Sequence, residues 1–314
     1  MIPIPFLKKF QRQDTIGLDW GLEDLKWLKL QTLSSGHRKI CYLDYLPLPS
    51  DEKEASAVLK DYVLKKGLTG TPTAVSFQEE GLAIRRLELP RMPPDDLQEA
   101  VRWQMRDIAE GSMDDYLVRY SLLEETTTPE MVRLTLLGYA IKRSAIQHQT
   151  ILLQKAGLKP FFLEPTPVSL AFAVEKTCPS AEHEWTACVD VGRKRAYFLA
   201  IGNGKLHFVR FLSGVALEQM GETSEDYATK LAVEIQHAVD AFSIAYQVEK
   251  IKKIFLAGGG AGIEKLPDFL TKNLGIFTEV LNPLAGLEGT KGFKLGLEKP
   301  YLFGPALGLA FLKP

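Results

Sequence analysis

The chain alternates between two hydrophobic periods. Ile16–Asp19 and Lys26–Leu30 read as short strands around a turn, and "ICYLDYLPLP" continues as strand at Ile40, Tyr42 and Leu43 until its prolines stop it. In "EASAVLKDYVLKKGL" the period lengthens. Ala57, Leu59, Val63 and Leu64 recur at helical spacing, and Gly67 ends the helix. "TAVSFQ" and "LAIRRLELP" return to strand, the second closed by Pro90. Pro93 and Pro94 then open an amphipathic helix with Asp95 and Asp96 in its first turn, and Leu97, Val101, Met105 and Ile108 form its stripe. Trp103 on this helix is either a packing residue or a contact for a partner. "YLVRYSLLE" and "MVRLTLLGYAI" form a strand pair, "SAIQHQTILLQKAGL" a helix, and "KPFFLEPTPVSLAFAV" a strand, a turn and another helix.

A polar stretch, "TCPSAEHEWTA", marks a domain boundary, and beyond it the opening pattern returns. "LDWGLEDLKWLKL" and "VDVGRKRAYFLAI" are both a strand ending in Asp-x-Gly followed by a second strand, which points to a duplicated half. A long helix follows, with Leu231, Ile235, Val239 and Phe242 on one stripe. "IKKIFLAGGGAGIEKLPDFLTKNLG" then gives a buried strand, three glycines and a helix, and "LFGPALGLAFL" a last apolar helix. The predicted class is α/β: two related domains, 1–178 and 179–298, an α+β insertion at 82–155 in the first, a reduced second domain, and residues 299–314 returning as a helix to the first.

Length and composition fit this plan. The 314 residues suffice for two cores, and 46% apolar with 25% charged residues is ordinary for a globular protein. A net charge of −1 gives no global field for nucleic acid or an anionic membrane. Cys41, Cys178 and Cys188 form no C-x-x-C pair and no metal-type spacing with the histidines, so neither a disulfide framework nor a transition-metal site is expected, and a reducing cytoplasm fits. No apolar run is long enough to span a bilayer. The opening "MIPIPFLKKFQRQ" lacks a signal-peptide pattern. It reads as a frayed arm, or as a membrane-surface or docking peptide.

The chemistry lies in the repeated turns. A tight hairpin after a strand aims backbone N–H groups at one spot, which suits phosphate oxygens, and Gly21 and Gly192 allow close approach. Asp19 and Asp190 at the strand ends can hold hydrated Mg²⁺ or orient a water. Gly258, Gly259 and Gly260 leave room for a base and ribose against the main chain.

Together these elements resemble the actin-like (ribonuclease H-like) ATPase superfold, and within it the PilM family of type IV pilus assembly proteins. The resemblance runs along nearly the whole chain. "RRLELPRMPPDDLQEAVRWQMRDIAEGSMDDYLVRYSLL" is similar to the family's P-x-M-P…L-x-x-A-V block, "LAVEIQHAVDAF" to its connecting helix, "IFLAGGGAGIEKLPDFLTKNLGIFTEVLNP" to its adenosine motif and "ALGLAF" to its closing helix. It implies a cytoplasmic protein on the inner-membrane face of a pilus or a related type II secretion machine. It also implies ATP with Mg²⁺ as ligand, with Lys26 and Glu234 among the nucleotide contacts. The implied partners are other platform proteins and a PilN-like membrane protein, whose short cytoplasmic tail would lie in a groove between the first domain's core and the insertion. Leu89, Met92, Leu97, Val101 and Met105 are expected near that groove.

Two departures bear on the ligand. The family's first loop carries small residues where Leu22, Glu23 and Asp24 stand here, and its second carries a hydroxyl residue where Arg193, Lys194 and Arg195 follow Gly192. These cations either grip phosphate or pair with Glu23 and Asp24 across the cleft. The expected function is a non-enzymatic adaptor with weak or lost nucleotide binding; the alternative is a working actin-like ATPase using Asp19 and Asp190.

Overall fold

The computed structural model describes residues 15–77, 81–108, 110–129, 131–179, 181, 184–221, 223–248 and 250–313. The N-terminal arm, and with it both readings of that segment, lies outside the described residues. The first half contributes β1 (Ile16–Trp20), β2 (Asp24–Thr32), β3 (Arg38–Pro47), α1 (Glu52–Lys65) and β4 (Pro72–Phe77). An inserted block follows, with β5 (Ala83–Pro90), α2 (Pro94–Gln104), β6 (Tyr116–Thr127) and β7 (Val132–Lys142). Then come α3 (Arg143–Lys155), β8 (Lys159–Pro165) and α4 (Thr166–Thr177). The second half holds β9 (Trp185–Val191), β10 (Ala196–Gly202), β11 (Lys205–Phe211), α5 (Ser224–Tyr246), β12 (Lys253–Ala257), α6 (Leu266–Leu274), β13 (Thr278–Val280), α7 (Lys294–Glu298) and α8 (Gly304–Ala310).

The duplication read from the turns extends to whole sheets. The two five-stranded sheets run β3-β2-β1-β4-β8 and β11-β10-β9-β12-β13. In each, an antiparallel three-strand meander continues into two parallel strands. "PTAVSF" in β4 and "TACVDV" in β9 are continuously buried, because helices cover both faces of these central strands. Leu59 and Val63 of α1 and Leu153 of α3 pack with Leu18 and Val75 on one face of the first sheet, and α8 covers the other. The second sheet lies between α5 and α6 on one face and α4 on the other. Leu64, counted on the helical stripe, is exposed, so the buried face of α1 is narrower than its sequence pattern.

The central layer is α4 against α8. Glycines set its spacing: a Cβ on Gly308 would lie 2.0 Å from the Ser169 carbonyl oxygen, and one on Gly17 would lie 2.0 Å from that of Ala306. Backbone therefore meets backbone where the last helix returns to β1.

The inserted sheet runs β5-β7-β6, with α2 packed on one face through Leu97, Val101 and Met105. It ends at Lys142. The range 82–155 is too long, because α3 buries Leu153 and Ala156 in the first core. The other face of the insertion reaches the second half. The Lys205 ammonium donates to the carbonyls of Leu122 and Leu123 (3.2 and 2.8 Å), and the Arg86 guanidinium lies 4.6 Å from the Tyr246 ring centroid. Trp103 of α2 is exposed, with the Arg106 guanidinium 3.6 Å from its ring centroid.

Gly308→Ala and Gly17→Ala should each lower stability by about 1–3 kcal/mol in urea unfolding, because the displaced atoms are main chain. Gly292→Ala, which meets nothing within 4 Å, should leave the midpoint unchanged.

Candidate functional site

The two Asp-x-Gly turns face each other across the cleft between the halves. Each is a tight hairpin: the Gly21 N–H donates to the Asp24 carbonyl at 2.9 Å, and the Gly192 N–H to that of Arg195 at 2.8 Å. The cleft encloses about 400 Å³, within the usual small-molecule range. Asp19, Asp24, Lys26, Asp190, Gly192, Arg193, Gly258 and Gly259 line it. Tyr45, Thr166, Leu217, Glu218, Tyr301, Leu302 and Pro305 complete the lining.

Charge is concentrated on the floor. The Lys26 ammonium, nearly buried, pairs with the Asp24 carboxylate and lies 3.5 Å from Asp19 Oδ2. Asp19 Oδ1 accepts the Ser76 hydroxyl at 2.6 Å, and Asp24 Oδ2 accepts that of Tyr45 at 3.0 Å. Burial alone would lower the Lys26 pKa, but Asp19 and Asp24 outweigh it and hold the ammonium above the usual lysine range. Burial raises Asp19, with Lys26 and Ser76 pulling it partly back. Burial, assisted by the Asp19 charge, pushes Asp190 up to about 7. Higher in the cleft, Arg193 Nε of the second turn donates to Glu23 Oε2 of the first at 2.9 Å. One of the two fates open to the second loop's cations is thus realised: Arg193 bridges the halves.

The triple glycine has two uses. Gly258 has φ +72, and a Cβ there would lie 2.4 Å from Asp190 Oδ1; one on Gly260 would strike Val191 at 2.5 Å. These two let the end of β12 close on the end of β9 and fix Asp190. Gly259 faces the cleft, and Leu217 packs over it: a Cβ on Gly259 would lie 2.8 Å from the leucine's Cδ1.

Most of the residues expected at the site converge here, Gly21 as the hinge of the first turn and Gly260 beneath the third loop. Glu234 does not. Its carboxylate accepts the Ser213 N–H at 3.3 Å and lies 3.5 Å from His237 Nδ1, away from the cleft lining. Sequence reasoning missed Tyr45, Thr166, Leu217 and Tyr301. They arrive from β3, the start of α4 and loops far along the chain, and no local motif marks them.

A Mg²⁺ ion at Asp19 and Asp190 would have to displace the Lys26 ammonium from Asp19 and deprotonate Asp190. The donor set as arranged is therefore matched to an internal cation. Among the described residues, no three His, Cys, Asp or Glu side chains gather as a metal site.

A second depression, of about 100 Å³, opens between the first core and the inserted sheet. Phe77, Phe162, Leu163, Glu164 and Pro165 form one wall; Leu117, Arg119 and Ser121 of β6, with Tyr139 and Ile141 of β7, form the other. Strands β8 and β6 are both terminal in their sheets. The five residues expected near this groove lie elsewhere. Leu89, Leu97, Val101 and Met105 are buried between α2 and the inserted sheet, and Met92 packs on the same cluster. Their helical stripe is core packing, and alternation places the groove residues on the sheet's opposite face.

The sequence matches the family model of the type IV pilus assembly protein PilM over residues 218–312. No curated protein matches. The solved PilM-PilN type IV pilus biogenesis complex contains a chain similar at TM-score 0.80 and 20% identity, the match covering 97% of this chain and 100% of that one. A Bacteroides thetaiotaomicron protein described as having an actin-like ATPase fold and unknown function matches at TM-score 0.50 and 10% identity, covering 98% and 100% of the two chains. The inorganic polyphosphate/ATP-glucomannokinase of Arthrobacter sp. strain KM matches at TM-score 0.50 and 12% identity, covering 95% and 97%. No helix among the described residues is long and apolar enough to cross a membrane. The architecture is the actin-like ATPase fold, and the chain is similar to the PilM family of type IV pilus assembly proteins, in sequence over residues 218–312 and in fold along its length.

Proposed function

We propose that this protein is a cytoplasmic adaptor of a type IV pilus, or related type II secretion, assembly platform at the inner membrane. It acts without catalysis, holding the cytoplasmic tail of a PilN-like membrane protein while its nucleotide cleft binds weakly or not at all. The observation that carries the reading is the full-length likeness to a chain of the PilM-PilN complex, combined with a cleft whose cations are already paired.

In an actin-type cleft the two turns and their cations face phosphate. Here Lys26 is engaged by Asp19 and Asp24, and Arg193 by Glu23. An entering nucleotide would break these pairs and meet the acids that remain. A carboxylate at ~5 Å from a phosphate costs about 3 kcal/mol at an effective dielectric near 20, roughly a hundredfold in affinity. The alternative reading, an ATP-binding protein with Mg²⁺ on Asp19 and Asp190, keeps one observation in its favour: both hairpins and the open face of Gly259 persist around the cleft.

The tail-binding role falls to the groove between β8 and β6. Each of these strands has one neighbour within its sheet, so an extended peptide can take up backbone hydrogen bonds along an edge, while Phe162, Leu117 and Ile146 offer apolar pockets.

Titration with a fluorescent ATP analogue and Mg²⁺ should give no binding tighter than about 100 μM, and Glu23→Ser/Asp24→Ser should tighten it about a hundredfold. Tight binding by the unaltered chain, abolished by Gly259→Trp, would overturn the adaptor reading of the cleft. For the groove, Ser121→Trp should abolish co-purification with a PilN-like protein, as should deletion of that protein's cytoplasmic tail; undiminished association refutes this mode. Asp190 supplies a pH test. Its folded value of about 7 exceeds the unfolded 3.8, so the folded state binds the extra proton and wild-type stability falls as pH rises between them. The melting temperature of Asp190→Asn should accordingly exceed wild type by an amount that grows across this window and levels off at several degrees above it.

A further inference from the structure

We propose that the peptide seated between β8 and β6 delivers a basic group to Glu164, and that this carboxylate selects the peptide. The inference rests on the groove being the partner site. Glu164 belongs to β8, the terminal strand of the first sheet, and lies in the groove wall among Phe162, Leu163 and Pro165, facing Tyr139 and Ile141. Its backbone neighbour across the sheet is Ser76, whose hydroxyl goes to Asp19. Among the described residues no side chain or backbone N–H donates to the Glu164 carboxylate, and no cation lies within ion-pair distance. Arg119, the other charged residue of the lining, instead directs its guanidinium to the Val118 carbonyl at 2.8 Å.

A carboxylate in an apolar wall, with no donor among the described residues, is unfavourable: burial pushes the Glu164 carboxyl up to about 7, with the charge of the chain's own α-ammonium pulling it partly back. Its position at a sheet edge makes it accessible to an added strand. An ammonium or guanidinium carried by that strand would restore the missing hydrogen bonds and hold the acid ionised. A neutral or acidic side chain at the same place would leave the carboxylate unpaired or repelled. Discrimination between peptides would then come from a penalty on the wrong residue as much as from attraction to the right one.

The sign of the pH effect follows. The groove acid must lose its proton to pair, so binding strengthens as pH rises through about 7 and weakens below it. The other titratable or charged groups of the lining are Arg119 and Tyr120 on β6 and Tyr139 on β7. Burial raises Tyr139 further from neutrality, and outside the lining the charge of the chain's own α-ammonium acts on Glu164.

The test uses the full chain and a synthetic cytoplasmic N-terminal peptide of a PilN-like protein, read by fluorescence anisotropy. Each lysine, each arginine and the α-amino group of the peptide is neutralised singly. One of these changes should weaken binding to the wild-type chain about tenfold and have no effect on Glu164→Gln, which should itself bind the native peptide about tenfold more weakly. Wild-type affinity should fall between pH 8 and pH 6, and Glu164→Gln should be flat. Equal or tighter binding by Glu164→Gln, or losses that are the same for both chains at every basic position, overturns the proposal and leaves groove docking standing. If the unaltered peptide does not bind the wild-type chain, groove docking and this inference fall together.

Discussion

One ammonium organises the cleft. Lys26 sits between Asp24 and Asp19, with Asp190 close enough for its charge to be felt, and no arrangement of these acids is tolerable in a buried floor without it. The pairing explains the other features of the site. It allows two carboxylates from opposite halves to face each other, leaves Asp190 to ease the remaining repulsion by taking up a proton, and keeps Lys26 from reaching into the open cleft. The Arg193–Glu23 contact repeats the principle nearer the rim, joining one half to the other. Both pairs turn a cavity shaped like an anion cradle into a site neutralised from within.

The architecture was readable because its signals are local and repeated. Asp19-Trp20-Gly21 and Asp190-Val191-Gly192 each end a buried strand and begin a hairpin, and an identical strand order follows from them. The triple glycine was legible for the same reason, although Gly258 and Gly260 serve the joining of β12 to β9 and the cleft lining takes only Gly258 and Gly259. Pairings between distant segments were not legible. That Arg193 would reach Glu23 could be framed only as one of two outcomes, and nothing in the run around Tyr301 announces that it closes the cleft. Glu234 was misplaced because an acidic residue on a long helix carries no indication of which neighbour its face will meet; here that neighbour is Ser213.

The stripe Leu97-Val101-Met105 teaches a related lesson. An apolar helical face is legible as a face, but its occupant is not. In this fold the inserted sheet covers it, and the reverse side of that sheet packs in part on the second half through Leu123 and Leu137 and in part lines the groove, where Leu117, Arg119 and Ser121 alternate with buried Tyr116 and Val118. The alternation was visible in "YLVRYSLLE". Which set would face the first core depends on where the insertion docks, and that is fixed by contacts more than eighty positions away, at Lys205 and Tyr246.

Those distant contacts have a mechanical consequence. Through Lys205 and Arg86 the insertion is tied to the second half, while through the chain on either side it is tied to the first. It therefore works as a strut between the two halves. Any rotation that parted the facing turns would have to shear the strut or carry it along, changing the distance between the edges of β8 and β6. The charges that join the turns, Arg193 on Glu23, thus lie on the same mechanical path as the spacing of the two strand edges.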